Sequence, residues 1–540
     1  MLLETTPAPR PTTPRGRRAR PRALTAALAA VLAALLCAGA VLGAAPPARA
    51  ADATGGPADG AVAAADDAGW FTSWAQSQQR VSTKNFANQS MRMVTRLSQG
   101  GDAVRIRLQN QFGVGPVVID QTSLALSAGG PAIVAGTDRV LTFGGTESVT
   151  IPVGGEVWSD PTSIATDDLD EVAVTFFLAR PTVTSLHDRA GRNNYGAPIG
   201  SGNLNAEVSG ASFTENLPWT YFVSAVDVYD ADVAGTIVAY GSSVVDGVGS
   251  ENCGPGCDAF GQDRRWTDDL ARRVAAELPP SQQVAIVNEG ISGTTSSPAC
   301  GGGGNDGVSR LERDVLALHG VTGVIFYYGT NDLANGCTDA TILASYEQIF
   351  ERLRAEGIRV FVTPITPRPG YTALQNQYRR AVNDVVRAGG DCSGTCDGVL
   401  DFDAVLQDPA NPDSIYPPYD TGDGVHANVA GQQAIADSIP LDVLVGDRPS
   451  VATDVRLRCL AGTPYVAVRV ANTDDVALDV DVATAYGSRS FTGVEPGSSA
   501  YQSFAVRTAP SAGVVTVTAR TAGGGGTERV ERVEHAAPAC

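Results

Sequence analysis

The chain has 540 residues, with 39 Lys and Arg against 58 Asp and Glu, and a formal net charge of −19. That length exceeds one ordinary domain and points to about three, while a hydrophobic fraction of 43% is ample for packed cores. Residues 1–50 carry seven Arg against one Glu, so the rest of the chain carries −25; a charge of that sign argues against nucleic acid or anionic membrane as a partner.

In chain order, the first element is a basic stretch (Arg15, Arg17, Arg18, Arg20, Arg22) followed by an apolar run from Ala23 to Ala45 and the small-x-small site Ala48-Arg49-Ala50. Residues 1–50 read as a secretory signal peptide. The alternative is a membrane anchor, since the run is long enough to span. Against it stand the weak hydrophobicity of an Ala-rich run and the cleavage site, so no stable membrane insertion is expected after processing. Cys37 follows Leu36 rather than a small residue, which argues against a lipoprotein site. Residues 51–68 lack periodicity and read as a flexible leader.

Residues 69–231 have β texture. Val104–Leu108 alternates strictly, Ser148–Ile151 and Glu171–Leu178 are strand-like, and Gly-rich turns separate them. The expectation is a β-sandwich. Residues 232–446 alternate between the two periods. Strands are predicted at Thr236–Tyr240, Val284–Val287, Val321–Tyr328, Arg359–Val362 and Val399–Phe402, and helices at Arg265–Glu277, Asp339–Ala355, Ala373–Ala388 and Ala430–Ser438. This order predicts an α/β domain with a flavodoxin-like parallel sheet covered by helices, whose ligands sit beyond the carboxyl ends of the strands. Residues 450–540 return to β texture, with strands at Tyr465–Val470 and Val514–Ala519, and read as a small Ig-like β domain.

Eight cysteines follow the signal segment, an even number that argues for disulfides in an exported chain. Cys392–Cys396 and Cys459–Cys540 are the expected bridges; the connectivity of Cys253, Cys257, Cys300 and Cys337 stays open. The short Cys253/Cys257 and Cys392/Cys396 spacings resemble zinc ligands, but few histidines accompany them.

Four short segments follow predicted strands: Gly241-Ser242-Ser243-Val244-Val245-Asp246-Gly247, Asn288-Glu289-Gly290-Ile291-Ser292-Gly293, Gly329-Thr330-Asn331-Asp332 and Asp423-Gly424-Val425-His426-Ala427-Asn428. Together they hold what ester hydrolysis requires: a hydroxyl nucleophile, an imidazole base, a carboxylate to orient it, and donors for an oxyanion. Ser243 leaves the first strand on a turn. His426 lies three residues after Asp423, close enough for the carboxylate to set its tautomer. Gly293 offers an unobstructed amide and Asn331 a side-chain NH₂.

These segments resemble the four sequence blocks of the SGNH/GDSL hydrolase superfamily, over roughly residues 235–445. Ser243, Gly293, Asn331 and His426 match the four residues that name it, and Asp423 matches its triad aspartate. Arg265-Trp266 and the run from Asp401 to Pro412 are similar to a secreted actinobacterial subgroup with an N-terminal β domain, described as arylesterases or xylan acetyl-esterases. The resemblance implies a catalytic triad of Ser243, Asp423 and His426, and an oxyanion hole of Gly293, Asn331 and the Ser243 amide. It implies a small-molecule or polysaccharide ester as substrate, with no cofactor and no metal. One residue departs from the pattern: Ser242 stands where the family carries Asp. Ser242 is therefore the competing nucleophile, and the hydrogen bonding that braces the turn is expected to differ.

Other residues have blander readings. His319 is expected at the surface, as is His187, which otherwise reaches the rim of the site; His535 belongs to the last strand or tail. Gly301–Gly304 and Gly523–Gly526 lack a phosphate loop's Lys-Ser/Thr and read as turns. Asp408 and Asp413 are hydrated loop acids rather than calcium ligands. Trp70, Trp74, Trp158 and Trp219 are core residues rather than a sugar platform. Two activities compete with a short-acyl esterase: a lipase or phospholipase-type acylhydrolase, and a non-catalytic carbohydrate-binding protein with a decayed site.

Overall fold

In the computed structural model, residues 69–230, 233–301, 303–389, 397–446, 449–507, 510–522 and 529–540 are described. The expected signal peptide, the leader, and the Cys392–Cys396 pair lie outside these residues.

Strand Gly101–Gln109 shows how the N-terminal region is built. Its apolar set Val104, Ile106 and Leu108 faces a core shared with Phe86, Met91, Met93, Val174 and Phe176. Around that core lie antiparallel sheets. One runs Trp70–Ala75, Val223–Tyr229, Gly101–Gln109, Glu156–Trp158; a larger one is centred on Gln89–Arg96 and Glu171–Leu178; a third joins Thr182–His187 to Arg80–Phe86. The alternating polar set, Arg105 and Arg107, is buried as well. Period-2 patterning fixes which residues share a face, but not what covers that face. Here the second face meets the α/β domain. Arg105 pairs with Asp227 at 2.9 Å, and Arg107 donates to Arg313 O at 3.1 Å.

The α/β domain starts with β1 (Thr236–Gly241), followed by α1 (Ser243–Asp246), α2 (Trp266–Glu277), β2 (Ala285–Gly290), α3 (Gly307–Leu311) and β3 (Val321–Tyr327). Then come α4 (Thr330–Ala334), α5 (Asp339–Ala355), β4 (Arg359–Val362), α6 (Ala373–Arg387), β5 (Gly398–Val399), α7 (Phe402–Leu406) and α8 (Val429–Ser438). The sheet is parallel throughout, in the order β2-β1-β3-β4-β5. This is the flavodoxin-like order, which reverses direction beside β1 and β3 and opens a crevice there. Helix α5 is capped by Thr338, which accepts from Thr341 N, and buries Ile342, Tyr346, Ile349, Phe350 and Leu353. Each such side chain contributes about 1.5–3 kcal/mol. The fifth strand is shorter than the predicted Val399–Phe402, because Asp401 accepts from Ala404 N at 2.9 Å and starts α7 at Phe402.

Residues 451–535 form a three-stranded and a four-stranded antiparallel sheet over a Val-rich core, closed by the expected Cys459–Cys540 disulfide. Arg532 of the last strand bonds Tyr229 Oη of the N-terminal region. Two further disulfides, Cys253–Cys257 and Cys300–Cys337, settle the connectivity left open above. Among the described residues no helix is long and apolar enough to cross a membrane.

Two histidine expectations are corrected. His187 is fully buried between the β-rich region and the α/β domain. His319 is half-buried in the same interface, 2.7 Å from Asp227 and edge-on to Trp158. His535 ends the last strand, as expected. Trp74 and Trp219 pack on the N-terminal core, Trp158 packs on the core of the α/β domain, and Trp70 is buried edge-on to Tyr229. Asp413 is ion-paired with Arg379 and Arg380.

Candidate active site

Gly241 ends β1 where the chain must pass close to β3. A Cβ there would sit 2.3 Å from Tyr327 O and 2.4 Å from Val245 Cγ2, so only glycine fits. Two residues on, Ser243 opens α1, where its N–H has no partner within the helix. A four-residue helix has little cohesion of its own, and its carbonyls are held from outside. Trp266 Nε1 donates to Val244 O at 3.1 Å, Asn288 Nδ2 to Val245 O at 2.6 Å, and Arg265 Nε to Asp246 O at 2.8 Å. Arg310 Nη2 donates to Gly241 O at 2.9 Å on the other side of the turn. These four side chains brace the turn. Ser242, the departure from the family pattern, adds nothing to the brace: its Oγ is buried and makes no hydrogen bond.

His426 comes from the loop between β5 and α8, 183 residues further along the chain. Its Nε2 lies 2.8 Å from Ser243 Oγ and its Nδ1 2.6 Å from Asp423 Oδ2. The other oxygen of Asp423 accepts from Val425 N at 2.8 Å and His426 N at 2.9 Å. The i, i+3 turn predicted from the sequence therefore aims both side chains the same way. Burial pushes Asp423 up, but hydrogen bonds from His426 and the two amides outweigh it and hold the carboxyl at about 2. A carboxylate at Nδ1 accepts a hydrogen bond from Nδ1–H, which keeps the proton on that nitrogen and leaves Nε2 of the neutral ring free to accept from Ser243 Oγ–H. The serine is nearly buried, His426 is 17% exposed and Asp423 47%, so the site opens to solvent on the His–Asp side.

The other two segments converge from β2 and β3. Gly293 has φ +80°, the left-handed region, and the position of its absent Cβ is open space. Asn331, in α4, donates from Nδ2 to Thr294 O at 2.8 Å and accepts from Arg368 Nη1 at 2.9 Å. Arg368 thereby fixes which way the amide points and leaves its second Nδ2 proton uncommitted. Asp332, fully buried, binds the loop from the other side, accepting from Ser296 N at 2.9 Å and Ser296 Oγ at 2.7 Å. Burial raises its carboxyl in spite of these bonds. The Cys300–Cys337 disulfide ties the same two segments a few residues further on.

The supporting residues Asp246, Asn288, Asp332, Arg265, Arg310 and Arg368 went unassigned in the sequence reading. Three of them, Asp246, Asn288 and Asp332, lie inside the motif segments, so proximity to Ser243, Gly293 and Asn331 was the available signal. Arg310 and Arg368 carry no local signal.

The family model described as GDSL-like lipase/acylhydrolase matches residues 239–434. No curated protein matches the chain. Similar solved structures include a GDSL-like lipase from Bacteroides thetaiotaomicron (19% identity, 39% of this chain and 88% of that one, TM-score 0.29). An inhibitor-bound aryl esterase from M. smegmatis is 20% identical over 37% of this chain and 94% of its own, with TM-score 0.29. An acetyl xylan esterase is 17% identical over 38% and 96%, with TM-score 0.28. With its four motif segments gathered at the strand ends of a 2-1-3-4-5 parallel sheet, the α/β domain of this chain matches the GDSL-like lipase/acylhydrolase family over residues 239–434.

Proposed function

We propose that the chain is a secreted serine esterase that hydrolyses short-acyl carboxylic esters through an acyl-enzyme. The observation that carries this reading is the hydrogen-bonded run from Ser243 through His426 to Asp423. His426 takes the Ser243 proton as Oγ attacks the ester carbonyl. The Asp423 carboxylate holds the ring and stabilises the imidazolium. The Gly293 and Ser243 amides and the Asn331 side chain receive the oxyanion. The imidazolium then protonates the leaving alcohol, and a water activated by the same histidine releases the acid. Ser243, not Ser242, is the nucleophile, because His426 Nε2 bonds Ser243 Oγ. The opening on the His–Asp side suits an ester carried on a bulky alcohol such as a polysaccharide. Export is supported by residues 1–50 and by disulfides at Cys253–Cys257, Cys300–Cys337 and Cys459–Cys540.

Turnover of p-nitrophenyl esters of increasing chain length, and acetate release from acetylated xylan, test this reading. Activity confined to acetate and butyrate, with acetate release from xylan, supports it. A preference for long chains favours the lipase alternative. No turnover by the wild type on any of them favours the non-catalytic one.

A further inference from the structure

We infer that His187, a residue of the β-rich region, is a positioning residue for the loop that carries Gly293; its effect on turnover rests on the esterase reading above.

His187 ends strand Thr182–His187 and is completely buried. Its Nδ1 lies 2.7 Å from Ser77 O, a carbonyl that can only accept. Its Nε2 lies 3.1 Å from Asp246 Oδ1. Burial pushes the Asp246 carboxyl up, but the His187 charge, hydrogen bonds from His187 and Ser292, and Arg265 outweigh it and hold the group below its ordinary value. Asp246 is thus an anion and accepts from Nε2. Both ring nitrogens of His187 thus face oxygen atoms, and the contact with the Asp246 carboxylate is shut off from water.

Asp246 hands this contact on. Its other oxygen, Oδ2, accepts from Ser292 N at 3.0 Å and Ser292 Oγ at 2.5 Å. Ser292 immediately precedes Gly293. Asp246 is also the last residue of α1, which Ser243 opens, and its carbonyl is held by Arg265. One buried carboxylate therefore sets the nucleophile helix and the Gly293 loop relative to each other, and His187 sets the carboxylate. Removing one member of a buried pair leaves an uncompensated charge that turns or draws in water. Either response releases Ser292, and a shift of about 1 Å at a catalytic donor can cost on the order of 100-fold in rate.

His187 is not what docks the two regions. Thr236 Oγ1 to Thr72 O (2.8 Å), Ile286 N to Ser98 Oγ (2.7 Å) and Arg107 to Arg313 O (3.1 Å) hold the interface without it. A purely structural residue and a positioning residue therefore predict different outcomes.

The test has two arms. In the first, hydrogen exchange of the full chain is followed by mass spectrometry in wild type and His187→Ala. Exchange should rise in the peptide covering Ile291–Thr295 and stay unchanged in α2. In the second, p-nitrophenyl acetate kinetics should show kcat of H187A lowered roughly 10- to 100-fold, with KM within about twofold. His187→Gln, which keeps a donor toward Asp246, should recover most of that loss. Ser292→Ala should also lower kcat, and the double variant H187A/S292A should fall less than the product of the singles, although the two side chains meet only through Asp246. Unchanged exchange at Ile291–Thr295 overturns the proposal, as does full kcat in H187A or multiplicative losses in the double variant. If H187A does not fold, the decision passes to S292A and H187Q: wild-type kcat and exchange in S292A overturn the proposal. An inactive wild type overturns the esterase reading alone, and the exchange arm still decides the positioning role.

Discussion

Replacing Glu289 by Gln should remove most of the pH dependence of stability between pH 5 and pH 8.5. Glu289 lies on β2, fully buried, with Ser77 of the β-rich region donating to its carboxyl. Burial, then the neighbouring Asp314, push Glu289 from its ordinary 4.5 up to about 8, against Arg107, Ser77 and Arg310. Asp314 is buried too, but Arg313 and Arg310 outweigh that and hold it at about 2. Of the two acids, Asp314 keeps the charge and Glu289 keeps the proton. Below pH 4.5 Glu289 is protonated in both folded and unfolded chains and adds no pH dependence. Between 4.5 and 8 the unfolded chain binds fewer protons than the folded one, so stability falls as pH rises, and above 8 the penalty is complete. The gap between the two values sets a ceiling of roughly 5 kcal/mol. Relaxation and water entry around the ionised group reduce this to about 2–4 kcal/mol over the interval measured. Gln keeps an acceptor for Ser77 Oγ and has no proton to lose. Urea midpoints of both proteins at pH 5 and pH 8.5 provide the assay. With a slope of about 3 kcal/mol per molar urea, the wild-type midpoint should drop about 1 M further than that of E289Q. Parallel pH dependences for the two proteins would refute the reasoning.

Three other perturbations probe the site directly. Asn331→Ala should lower kcat about 100- to 1,000-fold with little change in KM, and Arg368→Ala less, since Arg368 only fixes the direction of the Asn331 amide; steady-state kinetics on p-nitrophenyl acetate measure both. Replacing Cys300 and Cys337 together by Ser opens a bridge of sequence separation 37; by the loop-closure estimate this costs about 3–4 kcal/mol. It should also lower kcat, because the bridge ties the Gly293 and Asn331 segments, and the paired readout is thermal midpoint and turnover. Ser242→Ala deletes a buried hydroxyl without a partner. It should leave kcat intact and stabilise the chain by about 1 kcal/mol, seen as a higher thermal midpoint.

What the sequence made legible was whatever local pattern controls. The apolar face of Asp339–Ala355 and the β-run Glu171–Leu178 give helix and strand at those same limits. Ser243, His426 and Asp423 were readable because each sits in a short segment whose glycines and polar residues have no better use. What stayed hidden depends on contacts between distant segments. His187 looks like any strand-end histidine until Asp246 is placed opposite it, 59 residues away. Arg105 and Arg107 alternate with core residues as an exposed face would, and only the covering α/β domain makes them interior. The Ser242 substitution was visible, but its consequence was not, because the bracing side chains Arg265, Trp266, Asn288 and Arg310 come from three other places in the chain.

The central claim is that His426 activates Ser243. It is tested most directly by treating wild type and Ser243→Ala with a fluorophosphonate and locating the adduct by peptide mass spectrometry, alongside p-nitrophenyl acetate turnover. The account predicts one adduct, on Ser243, in the wild type, with no adduct and a loss of at least about 1,000-fold in kcat in S243A. An adduct on Ser242, or turnover that survives in S243A, would contradict it.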